Sequence, residues 1–122
     1  MRLLAAHGVG RLAVIAAGAP LVVPVNYAWI EGAVVFGSDA GTKRQALELR
    51  QVAFEIDESD PMTHTGWSVL VVGWAEAAED IDEVRVPIAP WCGVQDPDWI
   101  RIVPDRVTGR RIVRRAAESH HE

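Results

Sequence analysis

The chain reads as an all-β domain with short helices, and three observations lead there. Short apolar runs rich in Val, Ile and Trp recur between Gly, Pro and Asp punctuation, at the spacing of an antiparallel sheet. A length of 122 residues holds one hydrophobic core and not two. A composition of 49% apolar and 24% charged residues, with ten Gly and seven Pro, suits a globular fold and excludes collagen-like, coiled-coil and disordered chains.

Leu12 to Ala16 and Leu21 to Trp29 pair across the turn Ala17-Gly18-Ala19-Pro20, and Glu31-Gly32 turns the chain into a third strand from Ala33 to Gly37. Pro24 interrupts the second strand and cannot donate to a ladder, so that strand lies at an edge, is bulged, or faces something other than a neighbour. Thr42 to Arg50 is rich in helix formers, and Thr42 with Gln45 matches a capping box. Val52 to Ile56 and a long strand from Trp67 to Ala77 flank the polar loop Asp57-Glu58-Ser59-Asp60-Pro61. Asp80 to Arg85 is a second short helix, with its acids early and Arg85 late. A last strand runs from Trp99 through Val103. The whole reads as a single domain over residues 1–113, followed by a polar, frayed tail over 114–122.

A net charge of −5 sets the average surface against nucleic-acid phosphates, so any anion site must be local. The single cysteine, Cys92, forms no intrachain disulfide and suits a reducing cytosol, so a cytoplasmic location is expected. The Arg2-Leu3-Leu4-Ala5-Ala6 start loosely imitates a secretory signal, but His7, Gly8, Gly10 and Arg11 break the apolar run. No stretch approaches the roughly 20 uninterrupted apolar residues of a membrane helix.

Chemistry concentrates at Ser38-Asp39-Ala40-Gly41-Thr42-Lys43-Arg44, where a strand ends and a helix opens. Free backbone amides, a helix dipole and two cations converge there, which is what a phosphate needs, although any strand-to-helix turn contains similar residues. Lys43 is the chain's lone lysine, and the spacing is not that of a Walker loop. Five tryptophans exceed what one core swallows, so some line an interface or a planar ligand. Trp67 and Trp74 differ by an odd number and should point to opposite faces. The four histidines have no metal-ligand spacing, and neither a hydrolase elbow nor a dinucleotide fingerprint is present. Cys92 reads as a buried thiol, and Arg106, Arg110, Arg111, Arg114 and Arg115 as a solvated basic stripe.

The ordered series Gly10-Arg11-Leu12-Ala13, Pro24-Val25-Asn26-Tyr27, Val35-Phe36-Gly37-Ser38 with Gly41-Thr42-Lys43, Ala53-Phe54-Glu55-Ile56-Asp57, Gly66-Trp67-Ser68-Val69-Leu70-Val71, and Trp99-Ile100-Arg101-Ile102 with Thr108-Gly109-Arg110-Arg111 resembles the pyridoxamine 5′-phosphate oxidase-like flavin-binding family. The resemblance runs from about Leu3 to Ile112. It implies a six-stranded split β-barrel of the FMN-binding type, a homodimer, and FMN in two grooves between the subunits. Thr42 and Lys43, with Ser38, would hold the phosphate; Val25, Asn26 and Tyr27 would run beside the isoalloxazine ring. Trp67 and Ser68 match positions on the long strand that reach the flavin, and Trp99 and Arg101 match positions offered by the other subunit.

The stretch from Arg101 to Arg106 lacks the family's substrate-binding histidine, which argues against oxidation of pyridoxamine phosphate itself. The first expectation is therefore a dimeric flavin-dependent oxidoreductase of unnamed substrate, with flavin-positioning residues and no assigned catalytic side chain. The alternatives are a carrier or sensor of flavin or haem without turnover, and a deazaflavin-dependent reductase. No metal, nucleic acid or membrane partner is expected.

Overall fold

Six antiparallel strands close into a barrel in the order β1-β2-β3-β6-β5-β4. The computed structural model describes residues 8–79 and 98–113. Its elements are β1 (Gly8–Ala16), β2 (Ala19–Ile30), β3 (Ala33–Ser38), α1 (Ala40–Leu49), β4 (Gln51–Asp60), β5 (Thr65–Ala77) and β6 (Asp98–Ile112). The three-strand meander read from the sequence is present, turning through Ala17-Gly18 and Glu31-Gly32, all four at positive φ.

Several boundaries differ from the sequence reading. β1 begins at Gly8, four residues before the apolar run, because the Arg11 and Gly10 backbones continue the ladder with Pro24 and Val25. The polar stretch Asp57 to Asp60 is strand and not loop: it pairs with Ser68 back to Thr65, and its polar side chains stay exposed while the backbone is satisfied. β6 runs on to Ile112, because β5 continues to offer it a partner down to Gly66. The second helix expected over Asp80 to Arg85, Trp91, Cys92 and the tail lie outside the described residues.

The core is the set of inward side chains, with Leu12, Val34, Phe36, Phe54, Val69, Val71, Ile100 and Ile102 inaccessible to solvent. Alternation on β5 sends Trp67 inward against this core and leaves Trp74 on the outer face, 49% exposed, as the odd separation requires. Tyr27 meets Phe54 edge-on, with ring centroids 5.1 Å apart, and the bare backbone of Gly10 leaves the slot that the Phe54 ring fills.

The barrel closes through a short seam, Arg11 to Ala13 of β1 against Glu55 to Ala53 of β4. On its outer side the Arg11 guanidinium donates to Glu55 Oε1 at 3.1 Å and reaches Asp57 Oδ2 at 3.4 Å. Burial, and then the neighbouring Asp57, hold the Glu55 carboxyl above its ordinary value despite the arginine. On the opposite flank, a register shift between Val72 and Gly73 bulges β6 at Asp105. The backbones come so close there that a Cβ on Gly73 would collide with the Val103 carbonyl oxygen.

Two outcomes test this packing. Gly73→Ala should destabilise the fold by about 1–3 kcal/mol in chemical denaturation, because the carbonyl it meets is backbone and cannot swing aside. Asp57→Asn removes one cause of the upward shift, so the Glu55 titration midpoint followed by carbon NMR should fall while remaining raised by burial.

Candidate functional site

β3 and β4 are not neighbours in the barrel, so the chain between them must cross its mouth. α1 makes that crossing: ten residues span about 15 Å, and the helix touches β1, β3, β4, β5 and β6. Ala46 is fully buried at the mouth, and Leu47 packs on the core beside it. Arg50, in the left-handed region at φ 66°, ends the helix, and its carbonyl accepts the Ala75 amide at 2.6 Å, tying the helix end to β5.

The helix start differs from the expected capping box. Asp39 is the N-cap, its Oδ1 accepting the Thr42 amide at 2.7 Å, and its carbonyl accepts the Lys43 amide at 3.0 Å. Thr42 is therefore one turn inside the helix, because Asp39, three residues earlier and in extended backbone, takes the N-cap position and accepts the Thr42 amide. Hydrogen bonds from the Thr42 amide and hydroxyl hold the Asp39 carboxyl below its ordinary value.

This helix mouth is open: Asp39, Ala40 and Gly41 are exposed. Beside it a groove of about 390 Å3 runs along α1, lined by Ala40, Lys43, Arg44, Leu47 and Glu48. The Lys43 ammonium lies 3.5 Å from Asp98 Oδ1, a carboxylate at the first residue of β6. Past the Tyr27/Phe36 pair β2 and β3 part, and the split between them leads from Val25 and Asn26 toward Ser38 and the helix mouth.

The ten residues singled out from the sequence fall into groups. Thr42 and Lys43 stand at the helix mouth, half-buried. Ser38 is only 5% exposed, and its hydroxyl donates to the Asp98 carbonyl at 3.2 Å, where it pins β6 to the helix mouth. Val25 and Tyr27 point into the core, and burial raises the Tyr27 hydroxyl's pKa. Asn26 stands between them on the other face of β2. Trp99 and Arg101 pair with Gly37 and Val35 of the same chain, with Trp99 in a small outer cluster around Val35 and Arg101 donating to Glu76 at 3.2 Å. Trp67 and Ser68 stand near the start of β5, Trp67 ten residues before Ala77. Asp98, Asp39 and Arg44 are site residues missed or undervalued by sequence reasoning. Asp98 had no local signal, since only the β3–β6 pairing brings it to Lys43.

Residues 1–111 match the family described as pyridoxamine 5′-phosphate oxidase. The chain belongs to the pyridoxamine 5′-phosphate oxidase family. A family relative, the uncharacterized protein Rv0080 of Mycobacterium tuberculosis, is 35% identical over 93% of this chain and 80% of its own length. Among solved structures, an FAD-binding protein from Mesorhizobium loti superposes with a TM-score of 0.73 at 25% identity, covering 92% of this chain and 89% of that one. An FAD-binding protein from Mycobacterium smegmatis gives a TM-score of 0.68 at 27% identity, covering 91% and 89%. The six-stranded barrel is thus the split-barrel fold of flavin-binding members of the pyridoxamine 5′-phosphate oxidase family. Among the described residues no three His, Cys, Asp or Glu gather as a metal site, and no helix is long and apolar enough to cross a membrane.

The cap has a testable pH signature. A carboxyl whose folded pKa is depressed contributes stability above its unfolded value and loses it as pH falls through the folded value. Asp39→Ala should cost about 1 kcal/mol in thermal or chemical unfolding at neutral pH. The difference from the native protein should shrink at pH below the ordinary aspartate range, whereas Asp39→Asn should remain close to native at neutral pH.

Proposed function

We propose that the protein is a homodimeric FMN-binding oxidoreductase, with the flavin phosphate at the mouth of α1 and the ring in the split between β2 and β3. The observation that carries this reading is the convergence of that split on an open helix N-terminus flanked by Lys43 and Arg44. The flavin-binding proteins of the same fold support it.

The donor set fits a phosphate monoester. The first helical amide, of Ala40, has no partner within the helix, the Gly41 and Thr42 amides face the Asp39 carboxylate, and the dipole adds a partial positive charge beside the two cations. Asp39 and Asp98 oppose it, so the site favours an anion that can draw Lys43 from its 3.5 Å contact with Asp98. The backbone of Val25 and Tyr27 and the face of β2 bearing Asn26 would orient the ring. When bound, the flavin supplies hydride and single-electron chemistry, and the chain contributes binding, orientation and exclusion of water. Trp67 and Ser68 stand near the start of β5, away from its Ala77 end, and within this reading they serve the flavin held by the partner copy. The outer apolar side chains Leu70, Trp74 and Val103, exposed on adjacent strands β5 and β6, offer area for that partner.

Lys43→Ala should weaken FMN binding about tenfold or more in a flavin-fluorescence titration, and Asp98→Asn should tighten it severalfold at low salt. Unchanged affinity in Lys43→Ala removes the phosphate assignment. Sedimentation equilibrium should give a dimer. Anaerobic mixing with a reduced nicotinamide should bleach the flavin band, and failure to bleach would favour a carrier over an oxidoreductase.

A further inference from the structure

We infer that a second copy of the chain docks on the outer face of β2, β1, β4 and β5, across a two-fold axis that runs along the β1–β4 seam, an inference that rests on the homodimer of the preceding reading. Strand register lines the outward side chains of this face into rows. In the strand order β2, β1, β4, β5, one row reads Pro24, Arg11, Glu55, Leu70. The next reads Val22, Ala13, Ala53, Val72. Both alternate with the fully buried Leu12 and Phe54, so they point away from the core. Val22 is 60% and Leu70 40% exposed, and Pro24 and Arg11 are exposed with them.

An axis along the seam exchanges β1 with the partner's β4 and β2 with the partner's β5, while each residue keeps its level along the strands. Both rows then complement themselves. Arg11 comes over the partner's Glu55 and Glu55 over the partner's Arg11, so the pair that joins at 3.1 Å within each copy extends into a ring of alternating charge. Val22 comes over the partner's Val72 and Pro24 over the partner's Leu70, apolar on apolar. Ala13 meets the partner's Ala53, and these methyl side chains let the two backbones approach at the axis. An axis over β1 alone would instead set Arg11 on Arg11, and one over β4 alone would set Glu55 on Glu55. The barrel wall is convex, so two copies touch along the seam and part over β2 and β5, leaving two equal grooves. One level farther along, Asn26 stands opposite Val9, and Ser68 opposite Asp57, the carboxylate that Arg11 reaches at 3.4 Å. Each groove is therefore walled by Asn26 of one copy and the partner's Ser68.

The test is a complementation across the axis. Arg11→Glu and Glu55→Arg are prepared separately and measured by sedimentation equilibrium, each alone and as an equimolar mixture, with circular dichroism as the control on folding. Each variant alone sets like charges across the axis and should dimerise about tenfold or more weakly than the native protein. The mixture should recover dimers, because in a mixed pair opposite charges meet at both contacts although like charges remain inside each copy. Val22→Glu, an exposed change away from the charged row, should weaken dimerisation to a similar degree and decides the matter if a charge reversal unfolds the barrel. A native dimer that none of these changes weakens, or folded charge variants that do not recover on mixing, would overturn this face and leave the homodimer standing. A native protein that stays monomeric would remove both.

Discussion

Barrel closure imposes one topological demand: β3 and β4, consecutive in sequence, sit on opposite sides of the barrel. The chain must cross the mouth between them, and a helix does so with its backbone hydrogen bonds satisfied internally, which a buried loop could not. Once α1 crosses, its C-terminal half seals the core with Ala46 and Leu47, while its N-terminus is left at the rim, exposed and polarised. The anion site proposed at this helix mouth would therefore be a by-product of closing the barrel.

Electrostatics at that rim are balanced and not simply basic. Lys43 has Asp98 beside it, the helix amides have Asp39, and Ser38 is occupied by the Asp98 backbone. Such a site remains folded and stable without an anion, because these polar groups already have partners, and a bound phosphate exchanges partners more than it creates them. Two surface cavities differ accordingly. The one along α1 is lined by Lys43 and Arg44, and the one at the β4–β5 hairpin by Glu58 and Asp60 beside Trp67.

Local rules decided much of this in advance. Alternation placed Trp67 and Trp74 on opposite faces, Gly18 and Gly32 marked the turns of the meander, and the run from Ser38 to Arg44 announced a strand-to-helix junction. Local rules failed where a choice depended on a neighbour distant in sequence. Polar Asp57 to Asp60 reads as loop, because side-chain exposure does not reveal the backbone partner that β5 supplies. The helix cap moved from Thr42 to Asp39 because the helix starts one turn earlier, directly after β3 ends at Ser38, and Asp39 in extended backbone accepts the Thr42 amide.

What the sequence determined by itself is the all-β class, the order of strands along the chain and the helix after β3, since periodicity, turn chemistry and capping act within a few residues. Only the tertiary structure decided which of those residues share a site. Trp99 and Arg101 came to lie beside β3 of their own chain, while Trp67 and Ser68 were carried to the far end of β5. Strand pairing sets such distances, and pairing is a property of the closed barrel that no single strand carries.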